Sequence, residues 1–168
     1  MRTDVFWVPS NTPGRLAISP RPRGGDWLAD ELTAWRRAGI EVIVSLLTPS
    51  EVAELELAVE PDLSATHGMT FVSFPIPDYG VPDSSEALAE LAGRIAGNLV
   101  DGKSVLIHCR QGIGRAGLMA ASVLRTLGLD AATAVRTVTA ARGRPVPETP
   151  EQLRWVQTFA PTFTKTGS

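Results

Sequence analysis

Hydrophobic positions along the chain fall into two periods: short apolar runs that suit strands, and stripes at three- and four-residue spacing that suit helices. Residues 5–8 and 16–19 read as two strands, with Asn11-Thr12-Pro13-Gly14 as the turn between them. After a loop over residues 20–25, a helix is predicted from residue 27 to about 38. Leu28, Leu32 and Trp35 share one of its faces, Asp26 is its expected N-cap and Gly39 stops it. Residues 41–46 form a buried strand. A helix over residues 49–59 follows, opened by Thr48 or Ser50, and then a short one over residues 60–67. Residues 70–75 are the next strand and lead into Pro75-Ile76-Pro77-Asp78-Tyr79-Gly80-Val81-Pro82-Asp83, where three prolines and a glycine make a stiff loop. Ser84 or Ser85 caps a helix to about residue 100, striped by Leu88, Leu91, Ile95 and Leu99. The strand Val105-Leu106-Ile107, a tight loop, and helices over residues 116–127, 130–142 and 150–159 complete the pattern.

Strands alternating with helices predict an α/β chain: a three-layer sandwich with a mainly parallel central sheet flanked by helices. Ligands of such sheets bind beyond the carboxyl ends of the strands, where the loop after Ile107 falls. A chain of 168 residues is long enough for one core and short for two, so residues 1–168 are expected to form one domain with a frayed tail after about residue 161. Hydrophobic residues make up 43% and charged residues 20%, the balance of a soluble globular protein. A net charge of −2 gives no electrostatic case for nucleic acid or a membrane as partner. No apolar run approaches a membrane span and the N-terminus lacks a signal-peptide pattern, so a cytoplasmic location is expected.

The chemistry is concentrated in Val105-Leu106-Ile107-His108-Cys109-Arg110-Gln111-Gly112-Ile113-Gly114-Arg115. A strand ends in the only cysteine, and five residues, two of them glycine, separate it from Arg115. Strand, glycine-bearing loop and helix N-terminus together cradle an oxyanion: backbone N–H groups converge on it and the helix dipole adds positive potential. Arg115 offers a planar fork for two phosphate oxygens. A sulfur nucleophile inside an anion cradle suits attack on phosphorus, whereas a structural cysteine has no need of Gly-x-Gly-Arg after it. Expelling an alkoxide or phenoxide from phosphorus requires a proton, so a general acid is expected on a neighbouring loop, with Asp78 and Asp83 as candidates. Asp78 also suits an Asx-turn, and Asp83 a helix cap. His108 reads as a buried imidazole that fixes the loop. With His67 the only other histidine, no metal and no other cofactor is expected.

The segment His108-Cys109-Arg110-Gln111-Gly112-Ile113-Gly114-Arg115 resembles the phosphate-binding loop of the cysteine-dependent tyrosine and dual-specificity phosphatases. A rhodanese-type loop is one residue shorter between cysteine and arginine. The phrase from Pro75 to Asp83 is similar to the acid loop of the small dual-specificity phosphatases related to cyclin-dependent kinase inhibitor 3. That resemblance implies Cys109 as nucleophile, Asp78 as acid, and phosphate held by Arg110, Gln111, Gly112, Ile113, Gly114 and Arg115. Arg144 to Arg154 resembles the loop on which tyrosine phosphatases carry a water-positioning glutamine. The matching position here is Glu148, and Gln152 then packs beneath, with Thr149 as the cap of a helix that begins at Pro150. A second departure is Ala116, where the family places a serine or threonine that donates to the departing thiolate.

The implied function is hydrolysis of phosphotyrosine, and of phosphoserine or phosphothreonine, on a phosphoprotein through phosphocysteine. A catalytically weakened phosphate-binding module, for which Ala116 is the argument, and a phosphatase of a non-protein phosphomonoester such as a phosphoinositide are the alternatives. Neutral Gln111 and Ile113 favour phosphoprotein over inositol lipid. Arg15, Arg21 and Arg23 are either pocket-flanking cations for an acidic substrate or solvated loop arginines. The oligomeric state is left open.

Overall fold

The computed structural model describes residues 4–161; the frayed tail expected after residue 161 lies outside them. Among the described residues five strands form one sheet: β1 (Phe6–Val8), β2 (Leu16–Ser19), β3 (Ile40–Ser45), β4 (Thr70–Ser73) and β5 (Ser104–His108), in the order β1-β2-β5-β3-β4. Only the β1–β2 hairpin is antiparallel; β2, β3 and β4 join the sheet in parallel, as the alternation of strands and helices predicts. The helices are α1 (Leu28–Arg37), α2 (Pro49–Glu54), α3 (Glu60–Thr66), α4 (Ser85–Val100), α5 (Gly114–Thr126), α6 (Ala131–Arg142) and α7 (Pro150–Thr158). Helices α4 to α7 cover one sheet face over the larger core, which includes Ile18, Val44, Val105, Ile107 and Leu118. Helices α1 and α3 cover the other, where Ala17, Trp35, Ile43 and Leu106 pack together. Alternation along β5 therefore aims Leu106 at one layer and Ile107 at the opposite one.

Several boundaries differ from the sequence pattern, each for a local reason. Asp26 is not a cap: Gly25–Trp27 is a 3-10 turn running into α1, and no side chain caps either. The start is held instead by backbone, with Gly25 N donating to Glu56 O and any Cβ on Gly24 colliding with Leu55 O. Helix α2 stops at Glu54 rather than at residue 59. Glu56 takes φ +57, which returns the chain so that Leu57 N meets Val52 O and the Leu57 side chain is buried. The demand of an apolar residue for the core outweighs the continuing helical pattern. Strand β4 ends at Ser73, and α5 begins at Gly114, which draws Arg115 into its first turn. Thr48 caps α2 in a reciprocal box with Glu51, Ser84 caps α4, Asp130 caps α6, and Thr149 caps α7 in a second box with Gln152. No helix among the described residues is long and apolar enough to cross a membrane.

Candidate active site

Three parallel strands end level with one another: Ser19 of β2 and Ser45 of β3 both pair with His108 of β5. Cys109 is the next residue, so the reactive loop leaves the sheet at its carboxyl edge. This residue is 3% exposed, and its Sγ accepts a hydrogen bond of 3.3 Å from Gly112 N. Gly112 has φ +70, and a Cβ there would sit 2.6 Å from the Ser19 carbonyl carbon. Only glycine lets the loop turn this tightly against the end of β2.

The carbonyls of the loop are tied from outside. Arg21 N donates to Arg110 O at 3.2 Å, Arg142 Nη2 to Gln111 O at 3.2 Å and Arg142 Nε to Gly112 O at 3.0 Å. Arg142 is itself laid over the Phe6 ring at 4.1 Å, and burial, then the nearby Arg144 charge, push its guanidinium below the ordinary value. Drawing three consecutive carbonyls outward leaves the peptide N–H groups as the inward-facing surface of the loop, the geometry of an anion nest.

Arg115 lies beneath this nest, 1% exposed. Its fork is held by Glu51 of α2, with Nη1 to Oε1 at 2.7 Å and Nη2 to Oε2 at 3.0 Å. Nη1 also donates to Ile76 O at 2.9 Å, and Nη2 pairs with Asp78 Oδ1 at 3.1 Å. The buried Nε has no protein acceptor among the described residues, which leaves a donor for an anion in the cradle. Burial works against the charge of both partners. The Arg115 hydrogen bond and charge, with Thr48, nevertheless hold the Glu51 carboxyl at about 2, and the Arg115 guanidinium is raised by Glu51, Cys109 and Asp78 in turn.

Of the two acid candidates, Asp78 is the one brought to the loop. Asp83 is exposed and does not cap α4, since Ser84 does so through Ala87 N at 3.0 Å. Glu148 lies against the loop as well: a Cβ on Gly114 would be 2.7 Å from its Oε1 and about as close to the Gln152 amide. His108 is fully buried and bonds Glu60 Oε2 of α3 through Nε2 at 2.8 Å, with the Trp35 ring centroid 5.9 Å away. The Arg110 side chain turns to the acidic residues of α2, donating to Glu54 at 2.9 Å and lying 3.6 Å from the Glu51 carboxylate. Of the arginines suggested as flanking cations, only Arg21 is beside the loop. Arg15 stacks on Trp7 at 3.6 Å before the start of β2, the far end of the sheet from Cys109. Arg23 is bound to Glu31 at 3.1 Å and lies over Trp27.

Sequence reasoning missed Glu51, Glu60, Arg142 and the reach of Gln152. Glu51 follows the expected cap Thr48 by three residues, a spacing that suits a helix start and carries no sign of its partner Arg115. Glu60 and Arg142 stand in their own segments as ordinary helix-end charges.

Known proteins match both the chain and its fold. It is 28% identical over 126 residues to cyclin-dependent kinase inhibitor 3 of Rattus norvegicus, covering 74% of this chain and 59% of that protein. It is 27% identical to protein tyrosine phosphatase domain-containing protein 1 of Danio rerio, covering 80% of this chain and 22% of that protein. The chain thus spans less than two thirds of the length of these curated relatives. Among solved structures, Tk-PTP in its active form is 32% identical with a TM-score of 0.70, covering 86% of this chain and 92% of that one. A kinase associated phosphatase carrying serine for its catalytic cysteine superposes with a TM-score of 0.86 at 22% identity, covering 95% and 94%, a likeness of fold. A profile of the DSP-PTPase phosphatases of polymorphic toxin systems matches residues 19–128, the span from the end of β2 through α5 that builds the cradle. The chain belongs to this family, within the cysteine-dependent tyrosine and dual-specificity phosphatases.

Proposed function

We propose that this protein hydrolyses phosphomonoesters on proteins, phosphotyrosine first and phosphoserine or phosphothreonine after it, through a phosphocysteine intermediate. The observation that carries the reading is the placement of a buried cysteine and a buried arginine at the two ends of one loop, three of whose carbonyls are tied from outside. In the first step the Cys109 thiolate attacks phosphorus, the S–P bond forms, the P–O bond to the leaving group breaks, and Asp78 gives that oxygen a proton. Loop N–H groups and Arg115 hold the three equatorial oxygens as charge gathers on them. In the second step water attacks phosphorus, passes its proton to a carboxylate, and thiolate departs. Asp78, now ionised, and Glu148 beside Gly114 are the bases within the site.

Substrate class follows from what lines the loop. Within the loop itself Arg110 pairs with Glu54, while Gln111 and Ile113 carry no charge, which favours a phosphoprotein over the several ring phosphates of an inositol lipid. Aryl phosphates have the better leaving group, hence the preference for phosphotyrosine. A phosphoprotein partner agrees with relatives named as tyrosine phosphatase and as kinase inhibitor. A lone nucleophilic thiol works best in a reducing compartment, which favours action in cytoplasm. The test is turnover of an aryl phosphate by wild type and Cys109→Ser. Activity lost in the variant, blocked by vanadate in wild type, with phosphate affinity kept in the variant, supports the reading. Equal activity in the two proteins refutes it.

A further inference from the structure

Gln152 begins as an ordinary capping residue. It is the third residue of α7, and its Oε1 accepts from Thr149 N at 3.2 Å and from Glu148 N at 3.0 Å, while Thr149 Oγ1 accepts from Gln152 N. A capping box of this kind uses the side-chain oxygen only, and glutamate fills it as well as glutamine. The other half of this amide has a separate destination. Nε2 leaves α7 and donates to Gly80 O at 3.0 Å, across 72 residues of chain. The side chain is fully buried, so both halves of the amide are bonded out of water.

Gly80 closes the turn that presents the candidate acid. Gly80 N donates to Pro77 O at 2.8 Å, Tyr79 at the turn's third position has φ +61, and a Cβ on Gly80 would be 2.9 Å from Pro77 O. A left-handed tyrosine that is 57% exposed does not hold such a turn by packing. The turn is held at its two ends. On the upstream side Arg115 Nη1 binds Ile76 O while its Nη2 pairs with Asp78 itself, and on the downstream side Gln152 Nε2 binds Gly80 O. Asp78 stands between the two pins.

We propose that Gln152 is a positioning residue that latches the Pro77–Gly80 turn, so that Asp78 faces the phosphate loop. The proposal rests on the reading of Asp78 as general acid. Its test uses Gln152→Glu, which keeps the capping oxygen but has no hydrogen for Gly80. Activity is measured on phenyl phosphate, whose leaving group needs a proton, and on dinitrophenyl phosphate, whose leaving group does not. Gln152→Glu is expected to lower kcat/KM about tenfold on phenyl phosphate and less than about twofold on dinitrophenyl phosphate. Asp78→Asn should lower the phenyl phosphate rate about a hundredfold. The double variant should be no slower on that substrate than Asp78→Asn alone, because a latch without an acid has nothing to position.

Equal losses on both substrates, or additive losses in the double variant, overturn the latch. If Asp78→Asn steepens the leaving-group dependence and Gln152→Glu does not, the latch fails while the acid stands. If Asp78→Asn leaves that dependence unchanged, the acid reading itself has failed. A thermal melt checks the fold of each variant. Gln152→Met, close in size and unable to bond either loop, is scored on the same two substrates should the glutamate variant not fold.

Discussion

Replacing Glu51 by glutamine removes the charge that Arg115 is folded around. The Glu51 carboxyl drops from 4.5 to about 2, and its side chain is 9% exposed, so solvent screening removes little of the effect. A drop of that size corresponds to about 3 kcal/mol of stability near neutral pH. The folded-state value is depressed, so this contribution is complete above the unfolded value and is lost as pH falls through the folded one. Near pH 3.5 the unfolded carboxyl is largely protonated and the folded one still ionised, which leaves about 2 kcal/mol. Below about pH 2 the difference between wild type and Glu51→Gln closes. Urea unfolding of both proteins across this range measures it directly. A gap that stays constant from neutral pH to about 3.5, or that widens in acid, refutes the claim that Glu51 stabilises the fold as the ionised partner of Arg115. The same variant should lose activity on aryl phosphates, since the guanidinium is no longer fixed with its Nε turned to the anion.

Other expectations follow from single contacts. Ala116 is buried directly after Arg115 at the base of the cradle, so Ala116→Ser supplies a hydroxyl to the departing thiolate. Wild type should show a burst of phenol in rapid-quench kinetics. The serine variant should shorten it and turn over roughly 10- to 100-fold faster, a hydrogen bond to a charged group being worth about 1.5–3 kcal/mol; no burst, and no change on substitution, would count against this. Arg142→Ala releases the carbonyls of Gln111 and Gly112, so vanadate inhibition should weaken by about tenfold while the fold survives a thermal melt. Glu60→Leu leaves buried His108 Nε2 without its acceptor and should cost about 1–3 kcal/mol in urea unfolding; Glu60→Gln, which can still accept, should recover most of it.

The parts of this site legible in the sequence are those encoded by neighbours. Cys109 and Arg115 share one loop, so their spacing and the glycines between them announce the cradle before any fold is known. Asp78 is marked by the stiff segment around it, and Thr149 is marked as a helix cap by the Pro150 that follows it. Partners drawn from distant segments leave no such trace. Glu51 reaches Arg115, Glu60 reaches His108, and Arg142 reaches Gln111 and Gly112 only because strand order β2-β5-β3 sets their segments around one edge. The misplaced helix boundaries have the same origin. Glu56 accepts a left-handed backbone so that Leu57 can be buried, a cost that local propensity cannot anticipate. Arg110 is a similar case: its place in the loop is legible, but the pairing of its side chain with Glu54 of α2 is not.

The most direct trial of the account is to stop the reaction with acid during turnover of an aryl phosphate and map the phosphoryl group by mass spectrometry. The mechanism places one phosphoryl group on the Cys109 peptide, gone in Cys109→Ser and accumulating in Asp78→Asn only with leaving groups that need no proton. A phosphorylated histidine, aspartate or serine, or turnover without any phosphoenzyme in wild type and Ala116→Ser alike, would contradict it.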